Sequence, residues 1–91
     1  MAIFEKTFTI KNHLGLHLRA ANKVVRTASR FDADIWLSKD DLEVDAKSIM
    51  GITLLAAVYG SRVSVKARGA DASEAVEALG ELIDSKFEEE N

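Results

Sequence analysis

Ninety-one residues, 47% of them hydrophobic, are enough for one compact domain with one core and not for two. A formal net charge of -3 argues against nucleic acid as a main partner, and the absence of cysteine removes disulfide frameworks, thiolate metal sites and cysteine nucleophiles together. No apolar run approaches the ~20 residues that cross a bilayer, and Met1-Ala2-Ile3-Phe4-Glu5-Lys6 lacks the charged-then-apolar order of a signal peptide, so a soluble cytoplasmic protein that does not enter a membrane is expected.

Residues 3–10 alternate, with Phe4, Phe8 and Ile10 on one face and Glu5, Thr7 and Thr9 on the other, which predicts a half-buried strand. Lys11 to Gly15 reads as a loop. From 18 to 30 the period becomes helical: Ala21, Val24, Val25 and Ala28 form a stripe, and Lys23, Arg26 and Arg30 lie off it. Ile35 and Leu37 alternate with Asp34, Trp36 and Ser38 in a second strand, and Trp36 falls on its partly exposed face. Lys39-Asp40-Asp41 makes a turn into a short third strand at Leu42 and Val44. Ser48 stands as an N-cap before Ile49, Ile52 and Leu55, and this short helix is predicted to end near Tyr59-Gly60, with Gly60 as the left-handed stop. Val63, Val65 and Ala67 alternate with Arg62, Ser64 and Lys66 in a fourth strand. Asp71-Ala72-Ser73-Glu74 resembles a capping box with aspartate in the serine role. Ala75, Val76, Leu79, Leu82 and Ile83 then line one helix face, Phe87 continues the stripe, and Glu88-Glu89-Glu90-Asn91 forms a solvated tail. The order β-α-β-β-α-β-α, with one apolar face per element, predicts an α+β two-layer sandwich spanning residues 1–91 as a single domain.

The chemistry concentrates in Gly15-Leu16-His17-Leu18-Arg19-Ala20-Ala21. His17 falls between a strand and a helix, where unpaired backbone N–H groups and the positive dipole end favour a phosphate. A neutral imidazole there is a candidate phosphoryl acceptor, and Arg19 supplies a permanently charged fork suited to phosphate oxygens. Gly15 allows a tight turn before it. Spacing alone is also satisfied by a plainer reading, in which His17 merely caps a helix and Arg19 is solvated. His13 lies in a polar loop and carries no role of its own. Two histidines in one short loop without cysteine make a poor metal site, so neither a metal nor a cofactor is expected.

The block around His17 resembles the active-site signature of HPr, the histidine-containing phosphocarrier of the sugar phosphotransferase system, and Lys47-Ser48-Ile49-Met50-Gly51 resembles that family's second signature, around its regulatory serine. The spacing between the blocks, the length and the element order fit as well. The resemblance implies an open-faced sandwich with a four-stranded antiparallel sheet and three helices on one face. It implies a stoichiometric carrier rather than an enzyme, monomeric, taking a phosphoryl group from phosphorylated enzyme I on Nδ1 of His17 and passing it to an EIIA-type domain. Arg19 maps onto the family arginine that assists at the phosphate, and Ser48 onto a site for HPr kinase/phosphorylase. Leu18, Ile49, Met50 and Arg26 are the residues expected at the partner-docking surface, with Leu18 and Met50 exposed. A second reading is a regulatory HPr-like module that acts through Ser48 phosphorylation and docking; a third is an unrelated small ligand-binding domain.

The sequence departs from the family pattern at the rim. Ala20 replaces the usual proline, Leu18 a smaller or hydroxylated residue, and Ala56 a glycine near the end of the second helix; Leu14 offers no polar group where some members have one. The acceptor and its arginine are intact, so these changes bear on partner specificity and transfer rate.

Overall fold

A computed structural model describes residues 2–88. Its elements run β1 (Ile3–Thr9), α1 (Leu18–Ala28), β2 (Asp34–Lys39), β3 (Leu42–Asp45), α2 (Ile49–Leu54), β4 (Arg62–Arg68) and α3 (Ala72–Asp84), followed by a short turn of 3-10 helix at Lys86–Glu88. The strands form one antiparallel sheet in the order β1-β4-β2-β3. The predicted order and the α+β sandwich class are both found.

Alternation decides which face is covered. Val63, Val65 and Ala67 of β4 and Ile35 and Leu37 of β2 are buried, and they join Ala21, Val24 and Ala28 of α1 and the Ala75, Val76, Leu79, Leu82 and Ile83 stripe of α3 in one core. At about 25 cal/mol per Å² of apolar surface removed from water, these stripes supply the main drive to fold. The opposite sheet face carries Trp36, half-buried as expected, with Lys66 Nζ 5.1 Å and Arg68 Cζ 5.9 Å from its ring centroid. Among the described residues no helix is long and apolar enough to cross a membrane.

Four local expectations need correction. β1 is an edge strand and is less covered than its alternation implies: Phe4 remains 42% exposed, Phe8 is half-buried and only Ile10, just beyond the strand, is fully enclosed. Phe8 packs onto Gly80 of α3, where a Cβ would meet its ring. The second helix stops at Leu54 rather than near Tyr59-Gly60. Its stop is Ala56, which takes the left-handed conformation at φ 49, while Lys39 Nζ reaches the Leu55 and Ala56 carbonyls at 3.3 and 3.4 Å. Gly60, also left-handed, instead shapes the entry to β4, where its N–H donates to the Ile10 carbonyl at 2.8 Å. Phe87 is fully buried but does not extend α3, because the chain turns left-handed from Lys86 to Glu88. Of the expected tail, Glu89, Glu90 and Asn91 lie outside the described residues.

The fourth correction concerns Asp71. It occupies the N-cap position of α3, but its side chain makes no cap bond. Its carboxylate instead accepts from the N–H groups of Asp32 and Ala33, both at 2.9 Å, tying the start of α3 to the entry of β2. Hydrogen bonding by the Asp32 N–H, ahead of the Ala33 N–H and the nearby Lys47 charge, holds this carboxyl below its ordinary value of 3.8. A lowered folded-state value means that Asp71 contributes stability above the unfolded value and loses it as pH falls through the folded one. The Asp71→Asn variant should therefore lose stability at neutral pH and show a shallower acid-side decline than the parent below about pH 4. Urea melts across pH 2–6 check this.

Ala56 gives a prediction of opposite sign. A left-handed alanine costs ~1–2 kcal/mol; glycine relieves that strain but loses about 0.4–1 kcal/mol of the gain to its freer unfolded chain. Ala56 is exposed, so no packing is lost. Ala56→Gly should raise stability by about 0.5–1 kcal/mol, read as a higher urea midpoint at unchanged slope.

Candidate functional site

The loop before α1 is pinned before it reaches His17. Asn12, fully buried, donates from Nδ2 to the Gly15 carbonyl at 2.8 Å, and the Gly15 N–H returns a bond to the Asn12 carbonyl at 3.1 Å. Gly15 is left-handed at φ 68, and a Cβ on it would lie 2.5 Å from the Ala57 carbonyl oxygen and 2.9 Å from Val58 Cα. The next residue, Leu16, donates its N–H to that same Ala57 carbonyl at 2.8 Å and buries its side chain. The segment after α2 thus braces the histidine loop, and only a residue without a Cβ permits the approach.

His17 is the N-cap of α1, extended at φ -75 and ψ 179, with its carbonyl accepting the Ala21 N–H at 2.8 Å. Its ring is half-buried, and Nδ1 accepts the Arg19 N–H at 3.2 Å. That bond turns Nδ1 toward the first helical turn, whose N–H groups have no intrahelical acceptors. The first turn contains no acidic side chain to oppose an arriving phosphate. The Arg19 side chain is exposed and makes no ion pair among the described residues. Arg26, also exposed, follows seven residues later, two turns along the same face of α1.

Ser48 caps α2 as expected: its Oγ accepts the Gly51 N–H at 3.1 Å. The hydroxyl is half-buried, and Lys47 beside it is anchored by Nζ to the Phe31 carbonyl at 2.8 Å. Around the two caps the surface is apolar. Leu18 is 67% and Met50 75% exposed, as their off-stripe positions predict, and Ile49 is exposed at 39% although its spacing places it with Ile52 and Leu55.

Leu14, singled out from sequence as a departure at the rim, is exposed, and the rim extends further, to the exposed Leu54, Val58 and Tyr59. Leu54 follows Met50 at helical spacing, a signal the sequence did contain. Val58 and Tyr59 are drawn to the site by the Ala57 brace, which no local pattern announces. Tyr59 meets His13 edge-on, with ring centroids 5.4 Å apart at 87°. No group of three His, Cys, Asp or Glu side chains that could hold a metal ion occurs among the described residues.

Residues 4–85 match the family model described as the PTS HPr component phosphorylation site, which places the chain among phosphotransferase-system components. Phosphocarrier protein HPr of Neisseria meningitidis serogroup A is 44% identical over 87 residues, covering 96% of this chain and 98% of its own. The crystal structure of HPr-C-His from Thermoanaerobacter tengcongensis superposes with a TM-score of 0.93 at 50% identity, covering 97% of this chain and 99% of that one. Phosphocarrier protein NPr of Shewanella violacea is 38% identical over 89 residues, 98% of each chain. The chain belongs to the HPr family of phosphocarrier proteins.

Proposed function

We propose that this phosphocarrier accepts a phosphoryl group from phosphorylated enzyme I on Nδ1 of His17 and passes it to an EIIA-type domain. The observation that carries the reading is the His17 cap, with Nδ1 held 3.2 Å from the Arg19 N–H at a helix start. The Nδ1 lone pair attacks the phosphorus of the donor; the new N–P bond forms as the donor's bond to phosphorus breaks. Nε2 keeps its proton, so no general base is required. Attack requires Nδ1 to leave its hydrogen bond with Arg19, which costs ~1 kcal/mol net. The freed N–H then donates to a phosphoryl oxygen, and the bond becomes charge-assisted and stronger. The Arg19 guanidinium closes on the remaining oxygens. The helix end stabilises the phosphorylated state by ~0.3–1 kcal/mol per favourable contact, enough to hold the group without trapping it.

The exposed Leu18, Ile49 and Met50 supply the apolar part of the docking surface, with Arg26 steering acidic partners toward it. The protein acts in this role as a single domain and a monomer, in the cytoplasm, without a cofactor. The experiment is a two-step transfer: charge the chain with phosphoenolpyruvate and enzyme I, then add an EIIA domain and follow intact mass in alkali. One phosphoryl group should be gained and then lost to EIIA. No gain with an enzyme I shown to be active on another carrier would defeat the proposal.

Ser48 supports a regulatory layer, as a site for HPr kinase/phosphorylase. Phosphate adds about -1.5 to -2 charges at a helix N-terminus, which tolerates them, next to the apolar Ile49 and Met50. Ser48→Asp should leave the melting temperature within a few degrees of the parent while weakening enzyme I binding roughly tenfold, an order typical of one misplaced interfacial charge. Calorimetric titration with enzyme I reads the change. The intact His17 and Arg19 favour the carrier role over a purely regulatory one.

A further inference from the structure

We infer that the groove between α1 and α3 is a second ligand site, for a small phosphorylated polyol such as a sugar phosphate, distinct from the Nδ1 chemistry. The groove, open to solvent along one side, has a volume of about 380 Å³, within the roughly 300–1,000 Å³ of small-molecule sites. Its two walls differ in kind. One wall presents Lys23, Arg26 and Thr27 of α1 and, just past the helix, Arg30; the other presents Glu81, Ser85 and Glu88, with Leu82 also in the lining.

The three cations have different availability. Lys23 is already committed: its Nζ donates to the Phe87 carbonyl at 2.6 Å and lies 4.0 Å from a Glu88 carboxylate oxygen. Arg26 and Arg30 make no ion pair among the described residues. Arg26 stands in the last turn of α1 and Arg30 just past its C-cap, and both line the groove, so two guanidinium forks are offered to one phosphate. Arg30 is partly preorganised, because its guanidinium lies 5.8 Å from the centroid of the Phe31 ring.

The far wall selects what the phosphate is attached to. Glu81 makes no ion pair across the groove among the described residues, so its carboxylate can accept hydrogen bonds from hydroxyl groups. Ser85 Oγ spends its proton on the Leu82 carbonyl at 2.9 Å and keeps its lone pairs for another hydroxyl. Leu82 offers an apolar patch to the C–H face of a ring. A bare phosphate would leave the acidic wall unmatched, and a neutral sugar would leave the arginines unmatched. A nucleotide finds no aromatic side chain lining the groove on which to stack its base.

The probe is glucose 6-phosphate, titrated into the uniformly 15N-labelled full chain and followed by amide shifts. The expected result is saturable shifts in residues 23–30 and 78–88, with a Kd on the order of 1 mM. Glucose and inorganic phosphate should each bind at least about tenfold more weakly. Arg30→Gln should remove the response, and Glu81→Ala should reduce the preference for glucose 6-phosphate over phosphate. Absence of saturable shifts would overturn the inference. So would equal binding of inorganic phosphate, an unchanged response in Arg30→Gln, or shifts confined to His17–Ala20. Phosphoryl acceptance by His17 is read separately by mass, so either reading can fail alone.

Discussion

Replacing His17 with alanine should abolish phosphoryl acceptance while leaving the fold intact. The expected loss is complete rather than graded, because on the proposed route the variant removes the attacking lone pair itself. His13, the remaining histidine, sits edge-on to Tyr59 in a loop rather than at a helix start, so it lacks the first-turn N–H groups that would receive the phosphate. Loss of the cap bond to the Arg19 N–H costs ~1 kcal/mol of stability. Intact mass in alkali after incubation with phosphoenolpyruvate and enzyme I measures the first effect, and a thermal melt the second. His13→Ala is the control, and it should keep full acceptance.

Gly15→Ala should be the most damaging small substitution near the site. The added methyl would sit 2.5 Å from the Ala57 oxygen and 2.9 Å from Val58 Cα, both backbone atoms, at a φ of 68 that alanine resists. The left-handed conformation alone costs ~1–2 kcal/mol, and forcing the two segments apart adds ~1–3 kcal/mol. A loss of about 2–5 kcal/mol follows, which takes much of the 5–15 kcal/mol typical of a domain. Relief would come from stretching the Leu16 N–H to Ala57 bond, and this would release the histidine loop from its brace. Urea denaturation reads the stability. Transfer measured at low temperature, where the variant remains folded, should still fall, because a displacement near 1 Å can cost about a hundredfold in a reaction governed by position.

Legibility from sequence followed the range of the interaction. The α3 stripe and the alternation of β2 and β4 were readable because each is a local period, and all their predicted core positions are buried. The two caps were readable as well: His17 and Ser48 both accept a backbone N–H within three residues of themselves. The misreadings arise where a distant partner outbids a local pattern. Asp71 looks like a capping aspartate, yet its oxygens serve the backbone of residues 32 and 33, nearly forty positions away. Gly60 looks like a helix stop, yet Lys39 from β2 supports an earlier stop at Ala56. Phe4 alternates like a core residue but lies on an edge strand, which sequence order does not reveal.

The site shows the same division. Gly15 was legible as a turn residue, but its second duty, admitting the Ala57 carbonyl, depends on a loop forty residues later. The rim at Val58 and Tyr59 arrives through that contact and carries no periodic signature. Leu18 and Leu14 were legible as departures from the family pattern, and both are exposed near His17 in the chain. They make the surface around His17 more apolar than a hydroxylated rim would, which bears on which partners fit.

The central claim, that Nδ1 of His17 carries the phosphoryl group, is tested most directly by long-range 1H–15N correlation spectra of the chain after charging with phosphoenolpyruvate and enzyme I. The expected result is a phosphorus-coupled, substituted Nδ1 on His17, a protonated Nε2, loss of the Arg19 N–H bond to the ring, and unchanged His13 resonances. Phosphorylation at Nε2, at His13, or nowhere on the chain would contradict it.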